Sequence, residues 1–229
     1  MKYRIESDTL GTVKIPEKAL WGPQTQRSIN NFKIGEPNSM PIEIIRAYSV
    51  LKKSCAKANH ELNILDNKKM KLISDVCDEI HDGIHDSEFP LVIWQTGSGT
   101  QTNMNVNEVI SNRSNVILNK SLLDDKFLKA NDDVNMSQSS NDTFPTIMHV
   151  AINELSNNKL LPSIKELIKV FKQKQKQFEK IIKIGRTHTQ DATPITLGNE
   201  FSAFYVQLQA CLKRIEISQS ELKFLAQGG

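Results

Sequence analysis

Residues 201–226 read FSAFYVQLQACLKRIEISQSELKFLA, and they carry the most regular spacing of core-type side chains in the chain. The steps alternate between four and three residues along one series: Phe201, Tyr205, Leu208, Leu212, Ile215, Gln219, Leu222 and Ala226. A seven-residue repeat of this kind is the pattern by which long α-helices pack along one another. The segment therefore predicts a long helix in a bundle, and it favours a helical oligomer.

Similar three- and four-residue steps predict further helices upstream. One starts at Ser39–Pro41, a second runs from about Asp66 to Ile84, and a third covers Gln101–Asn119. A fourth is expected around Pro145–Leu160, with Asn141 and Asp142 as its N-cap, until Pro162 breaks or kinks it. The apolar stripe then continues toward Gly185 through Ile164, Leu167, Ile168, Phe171, Phe178, Ile181 and Ile182.

Strands are expected only near the N-terminus, as a pair around Tyr3–Ile5 and Thr12–Ile15. Strands do not alternate with helices along the rest of the chain, so a Rossmann-type sheet is not expected. The fold class predicted from these patterns is all-α.

The composition is that of an ordinary globular protein and narrows the possible partners. The 229 residues include 29 Lys and Arg against 26 acids, a net charge of +3, which gives no reason to expect nucleic acid or an anionic membrane as a partner. The basic stretch Lys169–Arg186 places its charges between apolar residues at helical spacing, which favours a solvated helix face. No run of apolar residues is long enough to span a membrane.

The three cysteines, Cys55, Cys77 and Cys211, lack CxxC spacing. This argues against a disulfide framework and a structural zinc site. The charged N-terminus does not fit a signal peptide, so we expect a cytoplasmic protein.

Three polar segments beside predicted helices are candidates for a binding site. They are Thr96–Asn105, Ser137–Asp142 and Gly185–Pro194. Together they supply hydroxyls, amides and backbone N–H groups at helix starts, which suits the carboxylates of a small ligand. The third also holds His188, which can take and give a proton near neutral pH because the usual pKa of histidine lies there. A solvated surface loop is the alternative interpretation of each segment.

Four motifs together resemble the class II fumarases of the aspartase/fumarase superfamily. They are LWGPQTQRS at 20–28, TGSGTQTNMNVNEVISNR at 96–113, SQSSNDTFP at 137–145 and GRTHTQDATP at 185–194. The resemblance implies an N-terminal lyase domain over residues 1–136 and the first part of a central helical bundle over residues 137–229. It also implies a homotetramer that hydrates fumarate reversibly to L-malate, as in the tricarboxylic acid cycle, without metal or organic cofactor.

The resemblance further assigns roles to individual residues. A substrate carboxylate would be bound by residues from the first two segments: Ser98, Gly99, Thr100, Ser139, Ser140 and Asn141. Thr187 and His188 would handle the water or leaving hydroxyl, with His188 as the catalytic proton carrier. The family's base, a serine on a glycine-rich loop, and the glutamate that orients the histidine have no counterpart in residues 1–229. We therefore expect this chain alone to be inactive.

One departure from the family concerns its secondary dicarboxylate site, an arginine followed by His-Pro-Asn-Asp. The corresponding residues here are Lys126, Lys129, Ala130, Asn131 and Asp132. Lysine can attract a dicarboxylate but cannot reproduce the two parallel hydrogen bonds of arginine.

Two other functions remain open. Aspartate ammonia-lyase shares the fold and the motifs at 96–113 and 137–145 but usually has Gln at the position of His188. A non-catalytic helical scaffold, from a different class of protein, is supported by the seven-residue repeat.

Overall fold

A computed structural model describes residues 2–228, and helices dominate it, as the all-α prediction requires. Two antiparallel hairpins accompany them, β1(Tyr3–Asp8) with β2(Gly11–Pro16) and β3(Ile182–Thr187) with β4(Gln190–Thr196). The α-helices of the described part are α1(Pro23–Asn31), α2(Ile42–Glu61), α3(Asn67–His81), α4(Thr100–Ile117), α5(Ser140–Leu155), α6(Leu161–Gln177) and α7(Leu197–Glu221). None of the described helices is long and apolar enough to cross a membrane.

The chain divides into two compact units. The first extends to Ala151 and includes the residues from Leu225 onward, and the second is Ile152–Phe224. The family domains expected over residues 1–136 and 137–229 stay a prediction, because compact units of one chain need not coincide with domains of an assembled enzyme.

The core of the first unit is built by α2, α3 and α4. Fully buried side chains from these helices, including Tyr48, Ile73, Ile80 and Ile110, pack into one cluster with Ile147 of α5. Each fully buried apolar side chain of this size stabilises the fold by about 1.5–3 kcal/mol. The Asp66 carboxylate accepts the backbone N–H groups of Lys68 and Lys69, so it caps α3 at the residue where the sequence predicts the start.

Helix α4 is buried although its sequence is polar. The amide of Asn105 donates to the Glu88 carbonyl at 3.0 Å, and that of Asn112 donates to the Leu20 carbonyl at 2.7 Å. Its Glu108 carboxylate accepts the backbone N–H groups of Gly22, Gln24 and Thr25 at 2.8–3.1 Å, together with the Thr25 hydroxyl. An anion at this position satisfies the free N–H groups at the start of α1.

The second unit is a helical pair with a hairpin. Helices α6 and α7 pack through an aromatic cluster of Phe171, Phe178, Phe201 and Phe204, whose neighbouring ring centroids are 5.4–6.3 Å apart. Thr196 caps α7 by accepting the Asn199 N–H at 3.1 Å. The predicted long helix is confirmed as Leu197–Glu221, but Ala226 lies beyond its end.

The prediction of an apolar helical stripe followed by a polar loop over Gly185–Pro194 is wrong. Helix α6 ends at Gln177, and residues 182–196 form the hairpin β3–β4. Seven of these 15 residues are β-branched, and such side chains favour extended backbone. The two turn residues, His188 and Thr189, have φ of 50° and 63°, the left-handed conformation that tight hairpin turns require.

Two predictions at helix boundaries also need correction. Helix α5 begins at Ser140, so Asn141 and Asp142 lie within its first turn and Pro145 lies inside it. Pro162 does not interrupt the helical run. A π-helical turn at Ser156–Leu160 connects α5 to α6, and the proline lies in the first turn of α6, where its missing N–H has little cost.

An ion-pair network joins α3 to α4. The Arg113 guanidinium donates two hydrogen bonds to the Glu79 carboxylate at 2.7 and 2.8 Å, and His85 Nε2 lies 2.7 Å from the same group. The Arg113 contact, assisted by His85, lowers the pKa of Glu79 from 4.5 to about 2.

We expect Glu79→Gln to lower the free energy of unfolding at pH 7. A lowered pKa stabilises the fold above the unfolded value near 4.5, and this contribution is lost as the pH falls toward about 2. The difference between wild type and variant should therefore shrink over that range, measured by urea denaturation at several pH values. Asp78→Asn, which removes a more exposed pair with Lys53, is the control and should have a small effect. A difference independent of pH between 7 and 2 would contradict this account.

Candidate functional site

The first predicted segment forms a tight turn that begins α4. Gly99 has a φ of 67° and precedes Thr100, the first residue of the helix. The Ser98 and Thr100 hydroxyl oxygens are 2.9 Å apart, and Thr96 lies 3.2 Å from Ser98. The turn therefore collects three hydroxyls beside the positive end of the α4 dipole.

The second segment meets the first through one contact. The Ser140 hydroxyl, on the first residue of α5, lies 2.8 Å from the Thr100 hydroxyl. Ser139 accepts the Asn141 N–H at 3.3 Å through its own hydroxyl. Two helix N-termini and their hydroxyls are thus brought together, although Thr100 and Ser140 are 40 residues apart in the sequence.

The cluster is accessible to a small ligand. The side chains of Ser98, Thr100, Ser139 and Ser140 are partly exposed, and Asn141 is exposed. Hydroxyls can turn their hydrogens toward a carboxylate, and helix N-termini attract anions. The arrangement can therefore bind a carboxylate with neutral donors.

A buried lysine beneath this cluster was missed by the sequence reasoning. Lys52 of α2 is fully buried, and its Nζ donates to Asn103 Oδ1 at 2.8 Å, Asn135 Oδ1 at 2.9 Å and Gln138 Oε1 at 2.9 Å. Burial lowers its pKa to about 7. The available signal was its spacing, because Lys52 lies four residues after Tyr48 on the buried side of α2.

The third segment, Gly185–Pro194, belongs to the second unit. Thr187 ends β3, and His188 is exposed at the hairpin turn. The Thr189 hydroxyl donates to the His188 carbonyl at 2.6 Å, and Arg186 pairs with Asp191 at 3.2 Å across the hairpin. Their assignment to proton transfer stays a prediction.

The residues of the predicted secondary site already have partners within the chain. Lys129 pairs with Asp125 at 2.6 Å, and Lys126 donates to the Leu122 carbonyl. Ala130–Val134 form a π-helical turn in which Asn131 donates to Asp132 at 3.4 Å. A dicarboxylate would have to compete with Asp125 for Lys129, and the use of this site stays a prediction.

Groups of three or more His, Cys, Asp or Glu side chains able to hold a metal ion are absent from residues 2–228.

The comparisons with known proteins identify the family. A family described as Lyase matches residues 11–229, so the chain belongs to this lyase family. It is 53% identical over 229 residues to the class II fumarate hydratase of Helicobacter pylori strain J99, covering all of this chain and 49% of that protein. It is 52% identical to the class II fumarate hydratase of Haemophilus ducreyi, again covering 49% of the relative.

Solved structures give the same result. The class II fumarase of Schistosoma mansoni matches with a TM-score of 0.93 and 42% identity, over 99% of this chain and 48% of that one. A fumarate lyase:delta crystallin from Brucella melitensis matches with a TM-score of 0.91 and 39% identity, over 98% of this chain and 52% of that one. The predicted resemblance and fold class are confirmed, and the chain spans about half the length of the relatives it matches.

We expect Gly99→Ala to destabilise the first unit by roughly 2–5 kcal/mol, because alanine is strained at this φ and overpacking adds to the cost. An added Cβ would lie 2.1 Å from Phe144 Cδ2. Gly97→Ala is the matched control: a Cβ there meets nothing within 4 Å, so the change should stay within about 0.5 kcal/mol. Denaturant unfolding of the two variants measures the difference, and equal stabilities would refute the packing described here.

Proposed function

We propose that this chain supplies the carboxylate-binding part of a fumarate hydratase site, which interconverts fumarate and L-malate. The observation that carries the proposal is the contact between the Thr100 and Ser140 hydroxyls, which joins two motifs at paired helix N-termini. Identity above 50% to proteins named class II fumarate hydratase supports the same reaction.

The chemistry requires charge stabilisation at one carboxylate. In the dehydration direction, a base removes a proton from the malate carbon next to a carboxylate, and the electron pair passes into that carboxylate. Hydroxyl and amide donors set in place before the reaction stabilise the resulting enolate-like dianion. In our assignment Ser98, Thr100, Ser139, Ser140 and Asn141 provide them, with the backbone of Gly99.

The second half of the reaction is loss of the hydroxyl group. The carbon–oxygen bond breaks as the double bond of fumarate forms, and a proton donated to the hydroxyl lets it leave as water. We assign this donation to His188, assisted by Thr187. In the hydration direction, His188 takes the same proton from the attacking water. The resemblance assigns the base that handles the carbon-bound proton to a serine outside residues 1–229.

The direct test follows the absorbance of fumarate formed from L-malate. The assay uses the 229-residue chain and, in parallel, the product of the complete reading frame that encodes it. We expect no turnover by the 229-residue chain alone, because the family's base and orienting glutamate have no counterpart in residues 1–229, and turnover by a product that supplies both groups. Turnover by the 229-residue chain alone would overturn that expectation.

The same preparations discriminate the alternatives. Release of ammonia from aspartate without any reaction of malate would identify an aspartate ammonia-lyase. Absence of both reactions in a folded product of the complete reading frame would favour a non-catalytic helical scaffold.

We expect His188→Asn to lower kcat by about 10²–10⁴-fold with a small change in KM, because proton transfer contributes mainly in the transition state. His81→Asn is the control, since His81 is an exposed histidine at the end of α3 in the first unit. Both variants are measured in the product of the complete reading frame. Equal kcat values in the two variants would remove His188 from the mechanism.

We also propose a cytoplasmic homotetramer that acts in the tricarboxylic acid cycle, with a small dicarboxylate as its partner and neither metal nor organic cofactor. Exposed apolar residues along α7, including Phe204, Val206 and Ile217, support the assembly because such side chains are favoured at helix–helix interfaces. Light scattering of the complete product tests the assembly.

A further inference from the structure

The ammonium group of Lys52 is buried among neutral amides. Three amide oxygens, from Asn103, Asn135 and Gln138, accept hydrogen bonds of 2.8–2.9 Å from Nζ. An ammonium group has three N–H donors, so these contacts use its full capacity. Within residues 2–228, the acceptors that bond to Nζ include no carboxylate, and the positive charge is left without an ion-pair partner.

The three acceptors lie on the two segments that carry the hydroxyl cluster. Asn103 is one helical turn after Thr100 on α4, and Asn135 and Gln138 lie in the turn that precedes Ser139 and Ser140.

Further bonds make these acceptors a single network. Asn135 Oδ1 also accepts the side-chain N–H groups of Asn103 at 3.0 Å and Asn107 at 3.2 Å. Asn135 donates to the Gln138 carbonyl, and Gln138 donates to the carbonyls of Val134 and Met136. Lys52 is thus the centre of a network that joins α4 to the turn before α5.

We propose that Lys52 is a positioning residue for the carboxylate site: its ammonium fixes the two helix starts so that Thr100 and Ser140 can bind one carboxylate together. The inference rests on the proposed function for the identity of the ligand. Its geometric part, the ordering of residues 99–103 and 135–141 by Lys52, stands independently of that function.

Protonation of Lys52 matters to this role. Burial brings its pKa to about 7, and a neutral amine has only two N–H groups for three acceptors. The titratable groups that face it are Tyr48, whose ring centroid is 5.9 Å from Nζ, and the thiols of Cys55 and Cys77. Burial raises the pKa of all three, that of Cys77 to about 12, so Lys52 is the group of this set that changes charge near neutral pH.

Substitution of Lys52 removes the donor and leaves its acceptors in place. Lys52→Met keeps a side chain of similar length but deprives the amide oxygens of Asn103, Asn135 and Gln138 of their ammonium donor. Buried acceptors that lose their donor destabilise the segments that carry them. Lys53→Met is the matched control, because Lys53 is the adjacent residue and forms a partly exposed pair with Asp78.

The first experiment measures amide hydrogen exchange in the 229-residue chain. We expect exchange of residues 99–103 and 135–141 to become at least roughly 10-fold faster in Lys52→Met, because the variant loses all three hydrogen bonds of Nζ, and α3 to keep its wild-type rate. Lys53→Met should match wild type in both segments. Unchanged exchange in Lys52→Met would overturn the positioning role. If Lys52→Met does not fold, Lys52→Gln, which keeps polar atoms without the charge, replaces it under the same criteria.

The second experiment measures malate dehydration by the product of the complete reading frame. We expect Lys52→Met to lower kcat/KM roughly 10- to 100-fold through misplaced donors, with Lys53→Met unchanged. Wild type should lose kcat/KM as the pH rises through about 7, and this alkaline limb should be weaker in Lys52→Met. Wild-type kinetics and pH profile in the variant would overturn the inference. A different outcome separates the two proposals. If the wild-type protein has no activity but exchange is still faster in Lys52→Met, the proposed function is rejected and the ordering of the two segments by Lys52 is retained.

Discussion

Burial of a polar helix is the constraint on which the first unit depends. Helix α4 is enclosed along most of its length, so the polar side chains it carries need partners inside the protein. The side-chain N–H groups of Asn105 and Asn112 and the carboxylate of Glu108 find them in backbone groups of two separate segments, one at Glu88 and one running from Leu20 into the start of α1. The same helix therefore holds the irregular segments around it in place. Its own N-terminus, which carries Thr100, is held rigidly by the same contacts.

This constraint explains why the hydroxyl cluster needs few charged groups at its surface. The hydroxyls of Thr100 and Ser140 stand on helix starts, where the dipole already favours an anion. Beneath them, the Lys52 ammonium binds neutral amides and is not cancelled by an acid. Neutral donors supported by a buried charge suit a reaction in which negative charge grows on a bound carboxylate.

The sequence predicted the elements that follow simple periodicity. Helices α2, α3, α4 and α7 were located from their spacing, and the pair β1–β2 was expected around Tyr3–Ile5 and Thr12–Ile15. The hairpin β3–β4 was missed because Ile181 and Ile182 also fit the preceding helical stripe, and only the structure shows that α6 ends at Gln177. Spacing alone does not decide between a longer helix and a hairpin, since β-branched residues occur in helices and in strands.

The site was predicted in part. The hydroxyl motifs were identified from their resemblance to the family, and the structure brings Thr100 and Ser140 into contact. Lys52 could not be identified in this way, because its acceptors are amides 51, 83 and 86 residues away, and such pairings depend on tertiary packing. The roles of Thr187 and His188 rest on the resemblance.

The central claim is that Thr100 and Ser140 bind one carboxylate as a unit. A double-mutant cycle with Thr100→Val and Ser140→Ala, in the product of the complete reading frame, tests it through the calorimetric affinity for L-malate. Two hydroxyls that bind the same carboxylate should be coupled by about 0.5–3 kcal/mol. The double variant should therefore lose less affinity than the two single losses combined. Strictly additive losses, or no loss in either single variant, would contradict the account.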